Sequence, residues 1–108
     1  MMPEWVTVAK TEDLPEGEMI GATVDGLELL VANVGGHYRA IGSVCTHEGG
    51  PLAEGDLYDS IVTCPWHGSE FRVRDGAVLG GPTTSPQPVL EVRVDPDGTV
   101  GVRLPEEG

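Results

Sequence analysis

Two short segments of this chain contain the residue types that bind metals most readily. Cys45 and His47 are separated by one residue, and Cys64 and His67 by two, so each segment supplies one thiol and one imidazole. Together they use both cysteines and two of the three histidines of the chain. Thiolates select iron–sulfur clusters, zinc or cuprous ions, and imidazole suits iron and zinc. The residue types therefore predict a metal centre and, by themselves, leave zinc open.

The spacing of the four residues separates the kinds of metal centre. Structural zinc sites usually pair two cysteines a few residues apart and place their histidines further along the chain. Here two mixed pairs are separated by sixteen residues, which favours two facing loops with both sulfurs on one iron and both imidazoles on another. A disulfide between the cysteines would leave the histidines unexplained. The pattern favours a two-iron cluster over a single tetrahedral metal.

The two segments resemble the cluster-binding signature of the Rieske ferredoxin family, which is Cys-x-His followed, after an insert of about this length, by Cys-x-x-His. The resemblance continues through residues 64–71, through the Asp-Gly pair at 75–76 and into the Gly-Pro pair at 81–82. It covers the whole chain in length and strand layout, while the motifs lie between residue 45 and about residue 88.

This resemblance implies one [2Fe–2S] cluster with two kinds of ligand. Cys45 and Cys64 are expected to bind the buried iron, and His47 and His67 the solvent-facing iron through Nδ1. The residues expected around the cluster, without binding iron, are Gly50, Trp66, Gly68, Ser69 and Pro82.

Differences from respiratory members of the family predict a lower reduction potential. Those relatives carry an additional cysteine in each segment, where this chain has Gly50 and Trp66. Ser69 matches a serine that donates a hydrogen bond to cluster sulfur, whereas Phe71 replaces a tyrosine and has no hydroxyl. Each hydrogen bond to cluster sulfur stabilises the reduced cluster, so each one that is missing lowers the reduction potential. We therefore expect a potential below the respiratory type.

Short alternating segments must position these loops. Blocks rich in Val, Leu and Ile, separated by glycine-containing turns, predict eight strands at Trp5–Ala9, Glu18–Val24, Leu27–Val34, His37–Gly42, Leu57–Thr63, Glu70–Arg74, Val89–Val94 and Thr99–Leu104. Asp-Gly pairs at 25–26 and 75–76 predict tight turns between antiparallel neighbours. Residues 43–56 are predicted to be a cluster loop, and the proline-rich residues 80–88 a rigid covering loop.

The fold predicted from these elements is all-β, a Rieske-like antiparallel sandwich or barrel with an inserted small cluster-binding subdomain. A length of 108 residues predicts one domain, 1–108. Residues 1–43 and 82–108 are expected to form its base, and residues from about 44 to 81 the cluster-binding subdomain.

Charge and composition exclude several classes of partner. The formal net charge is −12, and six Lys and Arg residues are too few for binding to nucleic acid or an anionic membrane. No apolar run is long enough to cross a membrane, and the first residues do not resemble a secretion signal, so we expect a cytoplasmic protein. Residues 40–71 contain acidic residues and no Lys or Arg. They form either a solvated face or a docking surface.

These observations favour a soluble, monomeric electron carrier that is not an enzyme. The resemblance implies that it passes single electrons from a flavin-dependent reductase to a terminal oxygenase. One alternative is a Rieske-type small subunit of a larger reductase, such as assimilatory nitrite reductase. The other is a zinc-stabilised interaction module.

Overall fold

Antiparallel strands account for most of the regular structure of this chain. The computed structural model describes residues 5–24, 26–43, 52–65, 68–80, 87 and 89–103. In these residues the strands are β1 Trp5–Lys10, β2 Met19–Val24, β3 Leu27–Val34, β4 His37–Gly42, β5 Asp56–Tyr58, β6 Ile61–Thr63, β7 Glu70–Arg72, β8 Val78–Gly80, β9 Val89–Val94 and β10 Thr99–Arg103. Short 3₁₀ turns cover Thr11–Asp13 and Leu52–Glu54. None of the described helical segments is long and apolar enough to cross a membrane.

The strands form two sheets. The larger has six strands in the order β1-β10-β9-β4-β3-β2, and the smaller has four in the order β5-β6-β7-β8. Each hydrogen-bonded pair is antiparallel. The small sheet is formed by residues that lie between β4 and β9 in the sequence. The all-β, antiparallel fold predicted from the sequence is confirmed.

The middle of strand β3, residues 29–32, is buried on both faces because the alternating side chains there are all apolar. Leu30 and Ala32 belong to a buried cluster shared with the small sheet. Leu29 and Val31 belong to a second cluster, which lies within the six-stranded sheet and includes Leu14. The strand therefore forms a common wall between the two hydrophobic cores.

The core between the sheets holds the small sheet in place. Ile41 of β4 packs in one cluster with Val62 of β6 and Phe71 of β7, and all three side chains are fully buried. Burying a side chain of this size contributes about 1.5–3 kcal/mol. Leu52 and Cys64 belong to the same cluster, so the attachment of the small sheet extends to the two segments expected to bind a metal.

The prediction of one strand over Leu57–Thr63 is wrong. A tight turn at Asp59 and Ser60 divides this stretch into β5 and β6, which pair from Asp56↔Thr63 to Tyr58↔Ile61. Asp59 has a φ of 60°, a left-handed conformation that aspartate tolerates better than most residues. The adjacent polar residues Asp59 and Ser60 therefore mark a turn here, where alternation alone had indicated a continuous strand.

Strand β8 was not predicted, and β7 is shorter than expected. Residues 73–75 turn the chain after Arg72, and Gly76 adopts a φ of 72° before β8 begins at Val78. Three residues are too few to establish an alternating pattern. The remaining strands agree with the prediction to within a residue at each end that is described. Residues 81–86 and 88 of the expected covering loop lie outside the described residues.

Candidate metal centre

The ends of the first predicted cluster loop are joined by hydrogen bonds. The backbone N–H of Leu52 donates to the carbonyl of Ser43 at 2.8 Å, and the N–H of Ser43 donates to the carbonyl of Glu28 at 2.9 Å. The segment between them is thus closed at its base and attached to β3. Of the residues predicted to bind or surround a cluster, Cys45, His47 and Gly50 lie in this segment and outside the described residues.

The second predicted loop is a tight connection between β6 and β7. The N–H of Cys64 donates to the carbonyl of Ser69 at 2.8 Å, and the N–H of Gly68 donates to the carbonyl of Cys64 at 3.1 Å. Gly68 has a φ of 77°, which a residue with a Cβ rarely adopts. Trp66 and His67 lie outside the described residues. The described ends of the loop fix the position of Cys64.

Both loops begin in the same part of the molecule. Leu52, which follows the first loop, and Cys64, which begins the second, share one buried cluster. A Cβ at Gly55 would collide with the carbonyl oxygen of Thr63 and would lie 3.1 Å from Cδ of Pro65. Only glycine permits this close approach. Gly55 was not among the predicted site residues, and its residue type was the one signal in the sequence that could have indicated this close approach.

Cys64 is the one predicted ligand that the structure describes. Its residue is 2% exposed and its thiol is free. A buried thiol at the start of a tight loop is placed to bind a metal on the inner side of a site. Within the described residues, no group of three or more His, Cys, Asp or Glu side chains forms a metal site.

Similarity to known proteins shows the family of this chain. A profile of the Rieske [2Fe–2S] domain matches residues 4–94 of this chain. The chain belongs to the Rieske [2Fe–2S] domain family. It is 35% identical over 95 residues to the 3-phenylpropionate/cinnamic acid dioxygenase ferredoxin subunit of Escherichia coli strain K12, covering 87% of this chain and 88% of that one.

Two further similarities concern the same kind of protein. The ferredoxin component of the naphthalene 1,2-dioxygenase system of Pseudomonas aeruginosa is 30% identical over 95 residues, covering 88% of this chain and 91% of its own. A chain in a solved complex of reduced oxygenase and oxidized ferredoxin of carbazole 1,9a-dioxygenase has a TM-score of 0.87 and 34% identity, with 92% of each chain covered. This Rieske protein is accordingly an electron carrier and not itself a catalytic enzyme. The nitrite reductase alternative is not favoured.

Ser69 tests whether the described residues fit such a cluster. Its residue is 0% exposed, and its Oγ has no hydrogen-bond partner in the described part of the chain. A buried hydroxyl without a partner costs about 1–3 kcal/mol. A sulfur acceptor of a Rieske cluster would satisfy it. Phe71, also fully buried, has no hydroxyl to add a second such hydrogen bond.

The far side of the small sheet is held by a turn between β7 and β8. Arg72 donates from Nε and Nη2 to the two carboxylate oxygens of Asp75, at 3.0 and 2.8 Å. These hydrogen bonds, together with one from the N–H of Ala77, lower the pKa of Asp75 to about 2. The N–H of Gln87 donates to the carbonyl of Gly76 at 2.9 Å, so the end of the predicted covering loop is attached to this turn. Pro82 itself lies outside the described residues.

Proposed function

We propose that this Rieske protein receives single electrons from a flavin-dependent reductase and passes them to a terminal oxygenase. The names of its relatives support this, because both sequence relatives are ferredoxin parts of dioxygenase systems. The similar chain in the carbazole 1,9a-dioxygenase complex occurs together with an oxygenase. We further propose that the protein acts as a monomer in the cytoplasm.

Four residues are proposed as the ligands. Cys45 and Cys64 would bind the buried iron, and His47 and His67 the solvent-facing iron. The burial of Cys64 supports the inner position, since its residue is 2% exposed. The shared buried cluster of Leu52 and Cys64 supports a single site for both loops, because it brings their bases together.

The proposed division of the chain follows from the same loops. Residues 44–81 would form the cluster-binding unit, supported by the small sheet that they contribute. Residues 1–43 and 82–108 would form the base. Gly50, Trp66, Gly68, Ser69 and Pro82 are proposed to surround the cluster.

When bound, a [2Fe–2S] cluster with two neutral imidazole ligands takes up and releases one electron at a higher potential than a four-cysteine cluster, because it carries less negative charge. The residues of this chain adjust that potential. The Ser69 hydroxyl would donate to cluster sulfur and favour the reduced state, whereas Phe71 offers no second donor. The extra cysteines of respiratory members are replaced by Gly50 and Trp66. A potential below the respiratory type is proposed.

The observation that carries this assignment is the buried Ser69 hydroxyl next to the Cys64 turn, which has no hydrogen-bond partner among the described residues. Electron paramagnetic resonance of the dithionite-reduced protein tests it, with iron and acid-labile sulfide counted on the same sample. We expect a [2Fe–2S] signal with the low average g value of mixed His and Cys ligation. A silent sample containing one zinc would overturn the proposal.

Substitutions test the ligand set with the same electron paramagnetic resonance measurement. Cys64→Ser, His47→Ala and His67→Ala should each abolish the signal. His37→Ala is the matched control, because this third histidine is exposed at the start of β4. Retention of the wild-type signal in any of the first three variants would exclude that residue as a ligand.

A further inference from the structure

The outer face of the small sheet carries the most exposed large apolar side chain among the described residues. Tyr58 at the end of β5 is 82% exposed. Its neighbour Leu57 packs against the buried cluster between the sheets. Adjacent residues of a strand point to opposite faces, so Tyr58 points away from the core. We call the surface formed by Asp56, Tyr58, Ile61, Thr63 and Glu70 the outer docking face.

The position of Tyr58 is fixed by the sheet. Tyr58 pairs with Ile61 across a tight turn in which Asp59 has a φ of 60°. The N–H of Val73 donates to the carbonyl of Ser60 in this turn at 2.8 Å, which attaches it to the chain beyond β7. These contacts fix the backbone at Tyr58, and an aromatic side chain has only two rotatable bonds to order on binding, which is one reason that tyrosine is frequent at interfaces.

Negative charge lies on the same face, at the end that adjoins the Cys64 loop. Asp56 and Glu70 are both exposed and lie in one row across the sheet, each paired with Thr63. Arg72 is also on this face, but its guanidinium is bonded to Asp75 at 2.8 Å. The described face thus has an acidic end beside the Cys64 loop and an apolar end at Tyr58 and Ile61, which together are complementary to a basic surface with an adjoining apolar patch.

The outer docking face is close enough to the Cys64 loop to share one interface with it. Tyr58 lies two residues from Asp56 along β5, a distance of about 7 Å. A transient interface that buries about 600 Å² on each partner has a radius of about 14 Å. Asp56 pairs with Thr63, which directly precedes Cys64, so a partner centred on the outer docking face would cover both Tyr58 and the start of this loop.

We infer that the outer docking face binds a basic redox protein, with Tyr58 as the main apolar contact and with Asp56 and Glu70 facing lysines or arginines of that protein. The inference rests on the proposed function, because it takes the Cys64 loop as the place where electrons leave. Beyond the proposed function, the inference specifies which surface of the small sheet the partner covers.

Cytochrome c is the probe for this surface, because lysines surround its exposed haem edge. The protein is reduced with dithionite, desalted and mixed with ferric cytochrome c, so that one electron leaves the [2Fe–2S] cluster and reduces the haem. The second-order rate constant is measured from about 10 mM to about 200 mM salt, a range over which screening becomes strong. Tyr58→Ala should lower it about fivefold at all salt concentrations, the effect of a modest interface hot spot.

The acidic residues should affect the salt dependence. Asp56→Asn combined with Glu70→Gln should lower the rate constant about fivefold at low salt and weaken its dependence on salt, because the part of the steering that comes from this face is lost. Tyr58→Phe should stay within about twofold of wild type, since the apolar ring is retained. Because Tyr58 is 82% exposed, none of its substitutions is expected to prevent folding.

Two matched controls lie elsewhere on the surface. Val94→Ala removes an exposed apolar side chain of β9, which is 45% exposed. Glu16→Gln removes an exposed carboxylate next to Gly17, whose N–H donates to Asn33 far along β3 from the loops. Both should leave the rate constant within about twofold of wild type. Equal effects of the controls and the face variants, or no effect of Tyr58→Ala, would overturn the inference.

A failure of the proposed function can be distinguished from a failure of the inference about the outer docking face. The spin signal and the midpoint potential are recorded for each variant, and both should equal those of wild type. If the reduced wild-type protein had no [2Fe–2S] signal, calorimetric binding to cytochrome c at low salt would still test the face without any electron transfer. Weaker binding of Tyr58→Ala than of Val94→Ala would then support it, and equal binding would overturn it.

Discussion

Cys64 and Ser69 are joined by a hydrogen bond between their backbones, in which the N–H of Cys64 donates to the carbonyl of Ser69 at 2.8 Å. The Ser69 hydroxyl is fully buried and, in the described part of the chain, has no acceptor. The same turn thus presents one thiol and one hydroxyl that need a partner. A cluster bound at Cys64 gives both groups a role, since the thiolate would bind iron and the hydroxyl would donate to sulfur.

The first prediction concerns this hydroxyl. Ser69→Ala should lower the midpoint potential, because a hydrogen bond to cluster sulfur stabilises the more negative reduced state. A hydrogen bond contributes about 0.5–1.5 kcal/mol, which for one electron corresponds to roughly 20–65 mV. A spectroelectrochemical titration measures the shift. Ser60→Ala is the control, because Ser60 lies in the turn between β5 and β6, and an equal potential for wild type and Ser69→Ala would contradict the assignment.

Gly55→Ala should destabilise the attachment between the two loops. Its Cβ would collide with the carbonyl of Thr63, which is backbone and cannot move aside easily. Overpacking of this kind costs about 1–3 kcal/mol. Thermal loss of the visible absorption of the cluster-bound protein should occur at a lower temperature.

Gly80→Ala provides the comparison for Gly55→Ala. Its Cβ would meet the flexible Glu70 carboxylate at 3.4 Å, an ordinary contact. Gly80→Ala should therefore melt within a few degrees of wild type. If both variants melted together, the close approach at Gly55 would not be what holds the loop bases in place.

The longer strands could be predicted because each has enough residues to show a pattern. The clearest case is β9 and β10, whose apolar residues alternate with polar ones or glycine on either side of an Asp-Gly turn. The four three-residue strands of the small sheet are too short for this. Their pairing depends on packing against Leu30 and Ile41, residues distant in sequence.

The candidate site was predictable in its residue types and unpredictable in its contacts. The spacing of Cys64 and His67 indicated metal binding because few other roles require a thiol and an imidazole so close together. The close approach of Gly55 to Thr63 depends on how β5 and the chain before it meet β6 in space, and no local pattern in the sequence indicates it. The ion pair of Arg72 with Asp75 is local, three residues apart in one turn, but it forms only in the conformation which that turn adopts.

Asp75 provides a prediction for acid stability. Hydrogen bonds from Arg72, and then from the N–H of Ala77, lower its pKa from 3.8 to about 2 in the folded protein. The folded state therefore binds the proton less tightly than the unfolded state. The contribution of the pair to stability is fully present above about pH 4 and is lost as the pH falls from 3.8 towards 2.

The corresponding variant is Asp75→Asn, followed by thermal unfolding in far-ultraviolet circular dichroism. The melting temperature of the variant should lie below that of wild type by a constant amount between about pH 7 and about pH 5, and the difference should shrink below about pH 4. Arg72→Gln removes the other partner, and the difference between its melting temperature and that of wild type should shrink over the same pH range. A difference that stays constant down to about pH 2.5 would exclude this pair as its source.

The largest predicted change in reduction potential comes from changing the charge of a ligand. His67→Cys would replace a neutral imidazole with a thiolate and add one negative charge to the cluster, so adding an electron becomes less favourable. If a cluster assembles, its potential should fall towards about −400 mV, the range of four-cysteine plant-type clusters. The average g value should rise at the same time. His37→Cys introduces the same residue at an exposed position of β4 and should change neither quantity under reducing conditions. An unchanged or higher potential in His67→Cys would contradict both the charge argument and the place of His67 among the ligands.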